Sequence, residues 1–230
     1  MGFRPPAKPE TQDLFAGLAG DAYSRRARLL SLGQEPRWHR YLVDRLPVGP
    51  EHHVLDVCTG TGAVAERIVL THRCRVTGLD QSTAMLELAS ARVPDAGFVQ
   101  SDALRLPFQD GTFERIFTSH FYGHLEDPER GRFLAEARRV APELVVVDSA
   151  LRDEVEPAEQ QERILSDGSR WQVFKRYFEP GVPLGAELGI GNPNEGCDLC
   201  HGADRMATNQ RPAKMISPPP SSAINSSGSK

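Results

Sequence analysis

The 230-residue chain has only four cysteines, too few and too scattered for the disulfide framework of a small secreted scaffold. Cys58 and Cys74 fall in a turn and at the opening of a strand, where a small half-buried thiol is the expected role. Long apolar runs are also lacking. The longest is about half of the ~20 residues a membrane span requires, so no stable membrane insertion is expected. The opening Met1-Gly-Phe-Arg-Pro-Pro-Ala-Lys-Pro9 has no hydrophobic segment behind its charges and does not read as a secretory signal, and a cytoplasmic location is expected. Positive charge is not in excess: 27 Lys and Arg face 31 Asp and Glu, for a net charge of −4. That balance gives no footprint for nucleic acid as a partner. Nothing in the composition speaks to oligomeric state.

What is present suits one α/β domain with appendages. The chain is organised around Val54-Leu55-Asp56-Val57-Cys58-Thr59-Gly60-Thr61-Gly62, an apolar run with one acid that breaks into a glycine-rich turn. His53 to Val57 suits a buried strand. Ala63 to Leu70 suits a helix, because Val64, Ala65, Ile68 and Val69 share one face at helical spacing. In a strand-turn-helix of this kind glycines let a ligand lie against the backbone, and the helix start turns unpaired N–H groups toward the same spot. Gly60-x-Gly62-x-x-Ala65 fits a loose dinucleotide fingerprint. Asp56 weighs against that reading, since an acid just before the turn opposes a pyrophosphate but not a sulfonium-bearing zwitterion.

The stretch resembles the first motif of the class I S-adenosylmethionine-dependent methyltransferases, apolar-apolar-Asp-apolar-x-x-Gly-x-Gly. The segment Tyr23 … Leu30-Ser31-Leu32-Gly33 … Arg37-Trp38 is similar to the N-terminal region of the ubiquinone/menaquinone-type C-methyltransferases, where a tyrosine-containing segment covers the cofactor. Ser24 stands where that group usually has an acid. The resemblance implies a Rossmann-like fold, S-adenosyl-L-methionine as cofactor, and a cofactor-binding role for Asp56, Gly60, Thr61, Gly62 and Tyr23.

Two later strand ends extend the pattern. Cys74-Arg-Val-Thr-Gly-Leu-Asp80 reads as a second strand ending on an acid at about the distance expected for a ribose contact. The resemblance gives Asp80 that contact and sets Gln81 and Met85 near the adenosine; helix N-capping is the other reading of Asp80, although Ser82 suffices for it. After a short third strand, Phe98 to Gln100, the run Ser101-Asp102-Ala103-Leu104-Arg105-Leu106-Pro107-Phe108 resembles the family's acid-Ala-x-x-Leu-Pro-Phe segment. There Asp102 faces the adenine amino group and the Ala103 N–H its ring; an ionised acceptor strengthens such a bond. Asp102 also suits a cap of the following turn.

Phe113 to Thr118 alternates as a fourth strand, and Ser119-His120-Phe121-Tyr122-Gly123-His124-Leu125 leaves its carboxyl end. Ligand crevices of open α/β sheets lie there, so Ser119 joins the cofactor-binding candidates. His120 and His124 are the candidate catalytic bases, with Tyr122 beside them. Asp127-Pro128 suits a helix start as N-cap and first-turn proline, with Phe133, Leu134, Ala137 and Val140 on the buried face. Glu143 to Asp148 is a fifth strand. The strand-helix alternation implies a doubly wound, mainly parallel sheet, preceded by N-terminal helices built on Leu14, Phe15, Leu18, Leu29, Leu30, Trp38, Tyr41, Leu42 and Leu46.

The domain reading is a disordered 1–10, a methyltransferase domain over 11–189 and a low-complexity, disordered 190–230. Within the domain, 11–50 is a helical lid, 51–150 the cofactor-binding core and 151–189 a substrate-side segment. Residues 151–168 are expected to be helical, with Gln160, Gln161, Glu162 and Arg163 facing water. Trp171, Phe174, Tyr177 and Phe178 read as core in preference to a substrate wall. The antiparallel strands with which class I enzymes finish are missing from the pattern, which would leave the fifth strand as a bare edge. The Gly-, Pro-, Asn- and Ser-rich end suggests a shifted frame or truncation and a marginal fold. Cys197-Asp-Leu-Cys200-His201 matches a short haem-attachment pattern, but without export or further ligands it reads as chance, and no metal is expected.

The expected function is in-line transfer of a methyl group from S-adenosyl-L-methionine to a small-molecule, quinone-like or aromatic acceptor. The alternatives are an NAD(P)-dependent Rossmann oxidoreductase and a cofactor-binding pseudoenzyme.

Overall fold

A computed structural model describes residues 43, 46, 48–151, 153, 155–164, 170–179 and 214–216. The expected N-terminal lid with Tyr23, and Cys197 to His201, lie outside these residues. In chain order the elements are β1 (His53–Val57), α1 (Ala63–His72), β2 (Arg75–Asp80), α2 (Thr83–Arg92), β3 (Gly97–Gln100) and β4 (Arg115–Ser119). A 3-10 turn at Tyr122–His124, α3 (Asp127–Val140), β5 (Leu144–Val147), β6 (Ala158–Ile164), β7 (Arg170–Arg176) and β8 (Lys214–Ile216) follow.

The main sheet has the order β3-β2-β1-β4-β5-β8, and each adjacent pair is parallel. The first strand therefore lies inside the sheet, and the chain winds outward from it in both directions. Its neighbours β2 and β4 diverge in connectivity, so a crevice opens at the carboxyl ends of β1 and β4, the place where such sheets bind ligands. Thr118 Oγ1 donates to the Val57 carbonyl at 2.8 Å and joins these two strands just below the crest.

Strand alternation separates two cores. Leu55, Val57, Ile116, Leu144 and Val146 face Phe133, Leu134, Ala137 and Val140 of α3. Val54, Phe117, Val145 and Val147 face Val64, Ala65 and Ile68 of α1, where Val43 and Leu46 also pack. Both faces are covered, which is why these strands read as near-continuous apolar runs. The Arg115–Glu143 ion pair joins the starts of β4 and β5. Arg139 of α3 donates to the Phe108 and Leu106 carbonyls at 2.7 and 3.0 Å, holding the loop after β3.

Four expectations need correction. Helix α3 takes Glu126 as its N-cap and Asp127 as its first residue; the Glu126 N–H donates to Glu129 Oε2 at 3.3 Å. Residues 158–164 are a strand, not a helix, paired antiparallel with β7. Their polar side chains carry no apolar period, and pairing across the hairpin decides their conformation. Within the region expected to be disordered, Lys214–Ile216 is a strand. It pairs with β5, so that strand is not a bare edge. Among the described residues the main sheet has no antiparallel terminal pair, and no helix is long and apolar enough to cross a membrane.

The two-sided core predicts a contrast within one residue type. Leu55 is fully buried in the central strand and Leu70 is 73% exposed on α1. Leu55→Ala should cost about 2–5 kcal/mol of unfolding free energy, and Leu70→Ala under about 0.5 kcal/mol. Urea denaturation of the two variants checks this.

Candidate active site

The glycine turn is pinned from below. Asp56 is 2% exposed; it accepts from Thr59 Oγ1 at 2.7 Å and from the Ala65 N–H in the first turn of α1. Burial pushes its pKa up to about 7, against those two hydrogen bonds and with help from the Asp80 charge. The full negative charge assumed from the sequence is therefore halved near neutrality, and Asp56 reaches the crevice only through the turn.

The two glycines have different tasks. Gly60, at φ +54°, would point a Cβ into open space, whereas Gly62, at φ +74°, would drive one to 3.0 Å from Ala89 of α2. Gly62 thus permits close packing of α2 against the turn, and Gly60 leaves the turn's outer face clear for a ligand. Cys58 also holds a left-handed conformation, at φ 57°. Thr61 is occupied: Arg92, in the last turn of α2, donates to its carbonyl at 2.7 Å and its hydroxyl at 2.8 Å. That guanidinium clamps the turn, and the Thr61 hydroxyl is engaged on the protein side.

Asp80 stands at the open face of Gly60. Its Oδ2 accepts the Gly60 N–H at 2.9 Å and its Oδ1 the Ser82 N–H at 3.0 Å. A carboxylate offers about four acceptor positions, so both oxygens retain capacity for incoming hydroxyls. Burial raises its pKa, opposed by the N–H groups of Ser82, Gly60 and Gln81. Ser82 is the N-cap of α2, accepting from the Met85 N–H at 3.4 Å. Met85 is buried at 3% exposure. The Gln81 carbonyl accepts from Gln100 Nε2 at 2.9 Å.

Asp102 follows β3, next to β2 in the sheet, and is half-buried. Its Oδ1 accepts the Leu104 N–H at 2.9 Å, the turn-capping bond considered for it. Ala103 is buried in the core with Leu106 and Phe113. Asp56, Asp80 and Asp102 thus belong to the carboxyl edges of β1, β2 and β3; Asp56 is buried, and Asp80 and Asp102 are half-buried.

The loop after β4 separates its three polar rings. Ser119 ends β4 half-buried, and His120 is exposed at the crest with φ 55°. His120 donates its N–H to the Val147 carbonyl at 2.8 Å. Surrounding protein lowers the imidazole pKa, Asp148 pulls it up, and Lys175 pulls it down. His124 Nδ1 lies 2.7 Å from the Phe174 carbonyl; a carbonyl only accepts, so Nδ1 carries the proton and ties the loop to β7. Tyr122 is not beside them in the crevice. It is fully buried against Phe178 and Phe133, with ring centroids 5.4 and 6.2 Å away.

Sequence reasoning missed Asp148 and Lys175, a buried ion pair with Nζ to Oδ1 at 2.5 Å. Asp148 had a signal, since it follows β5 as Asp80 and Asp102 follow their own strands. Lys175 had none. Of the four aromatics in 171–178, Phe178 is core. The Tyr177 hydroxyl instead donates to Glu159 Oε1 at 2.9 Å and accepts from Gln161 Nε2 at 2.8 Å. The side chain of Trp171 lies outside the described residues.

Comparison with known proteins meets this geometry at the same residues. Residues 54–143 match the family model described as a methyltransferase domain. Among relatives of this domain, the demethylmenaquinone methyltransferase of Thermotoga maritima is 38% identical over 135 residues, covering 58% of this chain and 57% of that protein. The ubiquinone/menaquinone biosynthesis C-methyltransferase UbiE of Desulfotalea psychrophila is 34% identical over 135 residues, covering 57% and 54%. The chain spans a little over half the length of each of these relatives. In fold, the domain is similar to DhpI as solved in a DhpI–SAM–HEP complex: TM-score 0.64, 21% identity, 82% of this chain and 90% of that one.

The buried carboxylate under the turn makes the stability of the fold depend on pH. Asp56 has a folded pKa of about 7 against an ordinary 3.8. Between those values the folded protein holds a proton that the unfolded chain releases, so stability falls as pH rises through that window. From roughly pH 5.5 to roughly pH 8 the wild type should lose about 2 kcal/mol more than Asp56→Asn. Urea denaturation at the two values reads the difference.

Proposed function

We propose that the protein transfers a methyl group from S-adenosyl-L-methionine to a small-molecule acceptor. The observation that carries this reading is the open face of Gly60 with the Asp80 carboxylate at its edge, where a ligand can lie against the backbone and a pair of vicinal hydroxyls meets acceptors. Asp80 holds the ribose, and Asp102 faces the adenine amino group, with Gln81, Met85, Ala103 and Ser119 around the nucleoside. Asp56 keeps the turn in shape, and a cation bound above favours its ionised form. When bound, the cofactor supplies a methyl carbon made electrophilic by its sulfonium. Gly60 and Gly62 shape the turn that seats it.

For the acceptor the protein's task is alignment, worth ~7–11 kcal/mol where reacting atoms are held near contact. His120 is the favoured proton acceptor, because its ring stands at the crest and its lowered pKa keeps it neutral near pH 7. His124, tied to Phe174, orients the loop. The names of the relatives support a quinone-type aromatic acceptor and carbon methylation.

Calorimetric titration tests the reading. S-adenosylhomocysteine should bind and NADH should not, and Asp80→Ala should weaken binding at least about tenfold, about 1.4 kcal/mol, with an unchanged circular dichroism spectrum. Binding of NADH alone transfers the site to the oxidoreductase reading. Binding of S-adenosylhomocysteine without turnover across a panel of quinols and phenols transfers it to the pseudoenzyme reading.

A further inference from the structure

Outside the cofactor cradle, the most constrained polar group is Asp148. Its side chain is fully buried and Lys175 is 7% exposed. Oδ1 accepts from Lys175 Nζ at 2.5 Å and from the Ser149 N–H at 2.8 Å, and Oδ2 accepts the Gly123 N–H at 2.8 Å. One carboxylate thus joins the end of β5, the loop after β4 and strand β7. The loop is pressed tightly onto the pair. A Cβ at Gly123 would lie 2.7 Å from the Arg176 carbonyl and 3.0 Å from both Asp148 Oδ1 and Lys175 Nζ. His120 is fastened in the same region, through its N–H to the carbonyl of Val147, and keeps a left-handed backbone that a non-glycine residue holds only when its surroundings impose it.

We propose that Lys175, acting through Asp148, is a positioning residue for His120: the pair fixes the 119–124 loop at Gly123 and sets a positive charge against the carboxylate that follows Val147, the residue to which the His120 N–H is bonded. The task given to His120 rests on the methyl-transfer reading above; the charge relation does not. A buried ion pair is poor evidence for stability, since an apolar pair of similar volume often serves as well. Here the charges have a target. Among the described residues, Asp148 and Lys175 are the charged groups acting on the ring, the first favouring imidazolium and the second opposing it. Without Lys175, an unbalanced carboxylate would hold a proton on the group that has to accept one.

The test is an NMR titration of the His120 ring in the full chain without cofactor or acceptor, its resonance assigned by its loss in His120→Gln. Lys175→Met should move the midpoint up by roughly half a unit to one unit. Asp148→Asn, which is isosteric and keeps an oxygen for the Gly123 N–H, should move it down. An unmoved midpoint in the folded variants, or a shift of both in one direction, overturns the proposal. If Lys175→Met does not fold, Asp148→Asn decides alone, and an unmoved or raised midpoint is the contrary result. Opposed shifts in a protein that does not bind S-adenosylhomocysteine would remove the function and leave the charge relation. The absence of such shifts in a protein that binds it would remove this inference alone.

Discussion

The hydrogen bond from the Gly60 N–H to Asp80 Oδ2 is the constraint on which the crevice depends. It joins the turn after β1 to the end of β2, so the backbone that would seat a ligand and the acid that would grip it are set by one contact. The turn is held on its other sides by Asp56 beneath, through Thr59, and by Arg92 at Thr61. Only the Gly60 face is left clear. Preorganisation of this kind lowers the cost of binding, because loop ordering is complete before the ligand arrives.

Charge is distributed unevenly around this cradle, and burial explains how. The Asp80 charge raises the cost of ionising Asp56, and both carboxylates lose water. A neutral or anionic ligand relieves none of that strain. A cationic one does, which gives the site a preference in sign without any direct contact to Asp56. Across the crest, Asp148 is balanced by Lys175, whereas Asp56 and Asp80 are held by neutral hydrogen-bond donors.

Much of the frame was legible because its signals are local. Strand β1 and helix α1 follow from one apolar run, one acid and two glycines, and β1, β4 and β5 are largely apolar on both faces because both are covered. Roles of single residues were less legible. The sequence does not distinguish Gly62, which faces Ala89, from Gly60, which faces open space, nor does it show that the Thr61 hydroxyl is engaged by a residue 31 positions away. Hairpin β6–β7 was illegible for a stronger reason. Gln160, Gln161 and Glu162 have no apolar alternation, and the hairpin's hold on the domain includes Lys175 to Asp148, 27 residues apart, His124 to Phe174, 50 apart, and the Arg176–Asp127 ion pair. Contacts at such separation leave no trace in a local pattern.

The most direct measurement of the central claim is a crystal structure of the protein grown with S-adenosylhomocysteine. The account predicts a nucleoside seated on the Gly60 face, with its ribose hydroxyls within hydrogen-bond distance of Asp80 and its adenine amino group at Asp102. A ligand bound elsewhere, or a ribose turned away from an Asp80 that keeps only its bonds to Gly60 and Ser82, would contradict it.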